Sequence, residues 1–225
     1  QELIKGGVPE RKITCVPNSV NGRFFDHRKT GDFYTRDRTL KLLSIGRLID
    51  WKGHTHLLEA LARFRETCTP DVHLTIVYGR DDTLLKELTQ QAKDLDLSDC
   101  ITFEPFVDFS THPEYLAQHD IYVHPSTYTQ DAIRKSETFG VAVLEAISAG
   151  LPVITTDAGG LPEVIGPQSP FARIVRHGSA EARYDALADM WITAALARGG
   201  PVIPVFILDP ARGWLCRVPC AQRAA

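Results

Sequence analysis

The sequence predicts an α/β fold, a Rossmann-like parallel sheet with helices on both faces. Three observations carry that prediction. Short continuous apolar runs such as residues 40–45 and 72–78 recur along the chain, with the length of strands buried on both sides. Stretches of helical spacing separate them, as at Leu57, Leu58, Leu61 and Phe64. The first such strand passes to its helix through a turn containing Gly46 and Gly53. Strand, glycine-containing turn and helix together place ligand groups at the carboxyl edge of a parallel sheet.

Residues 1–10 read as a helix end followed by a turn through Gly6, Gly7 and Pro9, and residues 12–16 as a short strand stopped by Pro17. Residues 21–38 are polar and aromatic without a period, which predicts a loop. Strand 40–45 leads to a helix ending near Glu66, and strand 72–78 to an amphipathic helix over 84–97. Residues 101–103 form the next strand. Thr111, Pro113 and Glu114 fit a capping box with proline in the first turn, opening a helix to about His119. Strand 120–123 feeds His124-Pro125-Ser126, and a polar loop runs over 127–136. A helix capped by Thr138 ends at Gly150, followed by strand 151–156, a short helix opened by Gly159-Gly160, and strand 171–175. Ser179 caps a final helix with Leu187, Trp191 and Ala195 on one stripe. Residues 202–208 form an apolar strand that must pair or pack, and 213–225 a tail.

Composition narrows the function. The chain has 225 residues, 44% hydrophobic and 24% charged, with net charge −3. The length suits one domain with an appendage or two small domains. The charge gives no support to nucleic-acid binding. No apolar run reaches the roughly 18 residues that span a membrane, and no signal peptide stands at Gln1, so membrane contact of a full enzyme would be peripheral. Five scattered cysteines (Cys15, Cys68, Cys100, Cys216, Cys220) read as the reduced thiols of a cytoplasmic protein. Cys216 and Cys220 lack a second ligand pair, and no metal site is expected.

The chemistry concentrates between Val123 and Ile165. Glu137 and Glu145 stand there with seven residues between them, around Phe139-Gly140. A helix starting near Phe139 or Gly140 aims free N–H groups and a positive dipole end forward, which suits an anion, and glycine permits close approach. Eight helical residues would separate the carboxylates by about 12 Å, and a loop between them lets both converge on one elongated ligand. An anionic centre with hydroxyl-rich ends describes a nucleotide sugar, since a carboxylate accepts two hydrogen bonds from a diol. Spacing alone also fits two solvated helix-end charges. The cations Arg47 and Lys52, beyond the first strand, read either as surface charges or as a fork and a point charge for a diphosphate.

The HPS run, the E-x7-E pair with its FG, LEAISAGLPVITTDAGGLPEVI and GRLIDWKGHTHLLEAL together resemble the nucleotide-sugar-binding half of GT-B glycosyltransferases, in the large retaining family called family 4 or group 1. The resemblance implies that Glu145 holds the ribose, Glu137 contacts the donor sugar, and Phe139 and Gly140 offer backbone N–H groups. It implies that Arg47 and Lys52 clamp the diphosphate and that the main chain near Val107 faces the base. His124 is left between donor contact and a structural hydrogen bond, and Gly159-Gly160 between close backbone approach and a plain turn. The family's glycine-rich turn matches only at Gly79. No cofactor is implied beyond the donor substrate, a nucleoside diphosphate sugar.

Asn18 to Asn21 resembles the linker joining the two halves of such enzymes. The expected organisation is therefore residues 1–12 as linker or the end of a missing N-terminal acceptor-binding half, 13–192 as the donor-binding domain, and 193–225 as a divergent tail. Within the tail, residues 193–210 resemble the early helix and strand of DNA photolyases, over too short a stretch to transfer function. The expected function is donor binding within a transferase that moves a sugar to an acceptor hydroxyl in glycan or polysaccharide biosynthesis. A non-catalytic or truncated nucleotide-sugar-binding module, or another GT-B reaction such as an epimerase or phosphorylase, stays open.

Overall fold

Six apolar runs pair into one parallel sheet in the order β3-β2-β1-β4-β5-β6. The computed structural model describes residues 2–14, 16, 18–27, 29, 38–68, 71–79, 83–106, 108, 110–130, 135–166, 169, 172–196, 207–209 and 213–215. Helices α1 (Glu2–Lys5) and α2 (Arg23–Asp26) precede β1 (Leu40–Ile45) and α3 (His54–Cys68). Then come β2 (Val72–Tyr78), α4 (Leu85–Asp94), β3 (Ile101–Pro105), α5 (His112–Ala117) and β4 (Ile121–His124). The second half continues with α6 (Val141–Ser148), β5 (Val153–Thr156), α7 (Leu161–Ile165), β6 (Ala172–Val175) and α8 (Ala180–Leu196). A separate antiparallel pair joins β7 (Ile207–Asp209) to β8 (Gly213–Leu215).

The core lies on both faces of the sheet, as its uninterrupted apolar strands require. On one face Leu40, Leu42, Leu74 and Ile76 pack with Leu57, Leu58, Leu61 and Phe64 of α3, with Leu88 of α4 and with Leu187 of α8. On the other, Leu43, Val77 and Tyr122 meet Phe24 of α2, Leu116 of α5, Val143 and Ala146 of α6, and Leu161 of α7. Burying each large aliphatic side chain contributes roughly 1.5–3 kcal/mol. Strand order reverses between β1 and β4, which pair directly. The crevice of a doubly wound sheet opens at the carboxyl ends of such strands.

Four local expectations are corrected. Residues 12–16 do not form a strand where they are described. Glu10–Lys12 is a 3-10 turn, and Ile13, though extended, has no ladder partner. Val16 is 80% exposed, so the short apolar run finds no sheet edge to reward its extension. Within residues 21–38, α2 forms because Phe24, 2% exposed, reaches the core and meets the His112 ring edge-on at 5.8 Å. Thr111 does not cap α5 with its side chain, since its hydroxyl donates to the Asp108 carbonyl at 3.1 Å. In the tail, residues 213–215 pair as β8. Ser179 does cap α8, accepting from the Ala182 N–H at 3.1 Å. Among the described residues no helix is long and apolar enough to cross a membrane.

Candidate functional site

Two loops leave the sheet at the strand-order reversal, one from each of the paired strands β1 and β4. The first carries Arg47, Trp51 and Lys52, and the second carries His124, Pro125 and Ser126. They are tied by main-chain bonding, the Thr127 N–H donating to the Trp51 carbonyl at 2.7 Å. From the neighbouring strand β5, the Thr155 hydroxyl donates to the His124 carbonyl at 3.3 Å and the Thr156 hydroxyl to the Ser126 carbonyl.

Lys52, Glu137 and His124 are brought into contact. The Lys52 ammonium pairs with Glu137 Oε2, and His124 Nε2 donates to the same oxygen at 3.1 Å. The lysine and glutamate side chains are only 11% and 15% exposed. Burial alone would raise the Glu137 carboxyl, but the His124 hydrogen bond and the Lys52 charge prevail and hold it at about 2. His124 is itself lowered, mainly by burial, so it is neutral near pH 7. A neutral ring donating from Nε2 keeps Nδ1 as an acceptor, and the Tyr122 hydroxyl lies 3.2 Å from it. His124 is therefore at once a structural hydrogen-bonder and a neighbour of the acidic group.

Trp51 supplies a surface for both cations of the first loop. The Lys52 ammonium lies 4.8 Å and the Arg47 guanidinium 5.6 Å from the ring centre. Rings at these distances favour cations by about 0.5–1 kcal/mol at exposed sites.

Glu145 behaves differently from its partner in the pair. It lies at the start of the second turn of α6 and is 9% exposed, and among the described residues no group donates a hydrogen bond to its carboxyl. Burial raises it to about 7.

The start of α6 is a further correction to the sequence reading. Thr138 is not the cap. Gly140 occupies that position with φ 92°, and the helix begins at Val141. The first ladder bonds are made by Val143 and Leu144, both to the Gly140 carbonyl. The N–H groups of Phe139, Gly140, Val141 and Ala142 have no protein partner among the described residues. Four consecutive free donors and the dipole end of an eight-residue helix suit a phosphate.

Gly159 and Gly160 do approach a backbone closely, but it is the protein's own. A Cβ on Gly159 would stand 1.9 Å from the Glu137 carbonyl oxygen, and one on Gly160 would stand 2.3 Å from that of Thr138. The Gly160 N–H donates to the Glu137 carbonyl at 2.9 Å. These glycines therefore buttress the loop that carries Glu137. Val107 lies outside the described residues.

Two residues near the site were not singled out by the sequence. His54, the first residue of α3, is 3% exposed, and its Nδ1 has no hydrogen-bond partner among the described residues. Burial, then the nearby His124 and Lys52, lowers it to about 3, so it stays neutral beside the cation. Arg183 of α8 is 0% exposed. Its signal in sequence is that of a helical surface charge, which hides a contact 58 residues away. A polar groove of about 330 Å³, lined by Lys41, His73, Glu104, Tyr115 and His119 among others, opens beside α5 and shares no residue with this site.

The profile of the family described as Glycosyl transferases group 1 matches residues 28–191. The amylovoran biosynthesis glycosyltransferase AmsK of Erwinia amylovora is 29% identical over 164 residues, covering 73% of this chain and 38% of that protein. Among solved structures, the C-terminal domain of the group 1 glycosyl transferase LpcC from Francisella tularensis is 27% identical with a TM-score of 0.56, covering 78% of this chain and 84% of that one. HepE of Anabaena in complex with UDP-glucose is also 27% identical, with a TM-score of 0.57, covering 70% of this chain and 41% of that one. The chain thus spans well under two thirds of the length of AmsK. With a doubly wound sheet, Lys52, Glu137 and His124 meeting at its reversal point and a family profile over most of its residues, the chain belongs to the group 1 glycosyl transferases.

Proposed function

We propose that this chain binds the donor of a retaining glycosyltransferase, a nucleoside diphosphate sugar, and that the whole enzyme transfers the sugar to an acceptor hydroxyl in glycan or polysaccharide biosynthesis. The observation that carries the reading is the meeting of Lys52, Glu137 and His124 at the reversal point. The free N–H groups at the start of α6 follow Glu137 directly in the chain. In this reading Arg47, Lys52 and those N–H groups hold the diphosphate. Charge builds there as the sugar departs, and fixed donors stabilise it without reorganisation. Glu137 and His124 face the sugar, and Glu145 accepts the ribose diol. Lys52 passes from Glu137 to the phosphates as donor enters, which frees the carboxylate for sugar hydroxyls. The acceptor is presented by a further domain, and cations on side chains answer the diphosphate charge.

Calorimetric titration with UDP-, GDP- and ADP-sugars, followed by a transfer assay, tests this. Saturable binding of at least one is expected, and absence of binding to all three overturns the reading. A module that binds donor without turnover is the second reading. Binding with no nucleoside diphosphate release in the presence of acceptors would favour it.

Two substitutions probe the assigned roles. Arg47→Ala is expected to weaken a nucleoside diphosphate about tenfold, roughly 1.4 kcal/mol, and the free nucleoside less than about twofold. Equal losses for both ligands would contradict the clamp. Glu145 supplies a pH signature. Its carboxyl is raised to about 7, so the stability tied to its neutral form is complete below the unfolded-state value and is lost as pH rises through about 7. A diol prefers the carboxylate, so affinity for a donor sugar is expected to rise several-fold, up to about tenfold, between about pH 6 and pH 8. Glu145→Gln should flatten that rise. An unchanged slope in the variant would remove Glu145 from the ribose.

A further inference from the structure

Arg183 is a buried cation with no ion pair among the described residues. It is 0% exposed, in the first turn of α8. Its Nη1 donates to the Ser179 carbonyl and its Nη2 to the Pro125 carbonyl, each at 2.7 Å, and its Nε has no partner. The carboxylates that act on it, Glu59 and Asp157, do so through space without a hydrogen bond. Each of these features is costly. A buried charge without a counter-charge is paid for in desolvation, and a cation in the first helical turn opposes the macrodipole. An aliphatic side chain of the same length would fill the space without either penalty.

The position of the guanidinium suggests what offsets the cost. Pro125 follows His124, and Gly53 follows Lys52. A Cβ on Gly53 would lie 2.0 Å from the Pro125 carbonyl oxygen and 3.6 Å from Arg183 Nη2. The guanidinium therefore sits against the main chain where the loop carrying Lys52 meets the loop carrying His124. Lys52 is already neutralised by Glu137. Arg183 is thus a positive charge at this place that no described carboxylate neutralises by direct contact.

We propose that Arg183 is a positioning residue of the donor site, holding Pro125 against Gly53 and lending a buried positive charge that favours a diphosphate in front of them. This rests on the donor-binding reading above. Burial lowers the guanidinium to about 10, so it is charged throughout the neutral range. It does not touch the ligand. Its effect falls on the phosphates and leaves base and ribose contacts alone, whereas a purely structural bolt would loosen all of them alike.

The test titrates the full chain with UDP, GDP and ADP, takes the tightest binder, and compares it with the matching nucleoside in wild type, Arg183→Lys and Arg183→Met. The expected result for Arg183→Met is at least about a tenfold loss for the diphosphate with less than about a twofold loss for the nucleoside. Arg183→Lys loses one of the two carbonyl bonds, and its buried ammonium gives up its proton more readily, so its diphosphate loss should lie between wild type and the methionine variant. Should the methionine variant fail to fold, Arg183→Gln, which retains an amide donor for a carbonyl, takes its place with the same expectation. Equal losses for both ligands in the lysine and neutral variants, or an unchanged diphosphate affinity in the neutral one, would overturn the role of Arg183 while leaving the donor reading standing. A wild-type chain that binds none of the three diphosphates would overturn both.

Discussion

Lys52→Met is expected to lower affinity for a nucleoside diphosphate about a hundredfold, roughly 2.7 kcal/mol, the largest binding loss of any single change at the site. Two effects add. The ammonium that would meet the phosphates is gone, and Glu137, until then neutralised by it, is left facing them as a bare carboxylate. Glu137 is held at about 2 in the folded protein. Its charge contributes stability that is complete above the unfolded-state value and lost only as pH falls through about 2, so it is ionised at any pH where the enzyme would be assayed. Removing its cation leaves a charge 15% exposed with only His124 against it. Glu137→Gln makes the opposite change, freeing Lys52, and should leave diphosphate affinity equal to or above that of wild type while weakening the sugar-bearing donor. The double variant separates the two effects. If it recovers about tenfold of the hundredfold loss, half of the free energy was repulsion by the stranded carboxylate. Strictly additive single and double losses would mean that the Lys52–Glu137 pair has no part in binding.

Much of the fold was legible because its strands are buried on both sides and need no partner to be recognised. Residues 40–45 and 72–78 are strands at the expected limits, and the later strands of the six-stranded sheet differ by one or two residues, while most of the expected strand 202–208 lies outside the described residues. Periodicity could not find α2, whose single turn depends on Phe24 reaching a core built by distant segments. Nor could it reject 12–16, where pattern and propensity were right and only the ladder partner was missing. The caps at Thr111 and Thr138 failed for a related reason. A hydroxyl near a helix start has several carbonyls and amides within reach, and sequence does not say which one wins. At the site, Lys52, Glu137, Glu145 and His124 came from the family resemblance, and the geometry adds how they differ. One carboxylate is paired and acidic, while the other is unpaired and half-titrated near neutrality. Arg183 stayed hidden because a lone arginine on an amphipathic helix reads as solvated, and only the Pro125 carbonyl, remote in sequence, makes it a core residue.

The largest expected loss of stability comes from a residue with no side chain. Gly159→Ala should destabilise the protein by about 3–5 kcal/mol, from backbone strain and overpacking together. Gly159 has φ 60°, and its Cβ would stand 1.9 Å from the Glu137 carbonyl oxygen and 2.9 Å from that carbon. The obstacle is main chain, which cannot rotate aside like the end of a flexible side chain. Two other glycines divide the cost into its parts. Gly166 has φ 74° with nothing within 4 Å of a Cβ, so Gly166→Ala measures strain without contact. Gly160 has φ −84° but a Cβ 2.3 Å from the Thr138 carbonyl oxygen, so Gly160→Ala measures contact without strain. For a chain of this length, about 4 kcal/mol corresponds to a melting temperature lower by roughly 8–16 °C. Gly159→Ala should melt below both of the others, and if it remains folded it should lose affinity for the donor sugar, because relief of the clash moves the segment that holds the Glu137 carboxylate beside Lys52. A Gly159→Ala protein melting within a degree or two of Gly166→Ala would show that the loop yields freely, and a loop that yields freely could not hold Glu137 in a fixed pair.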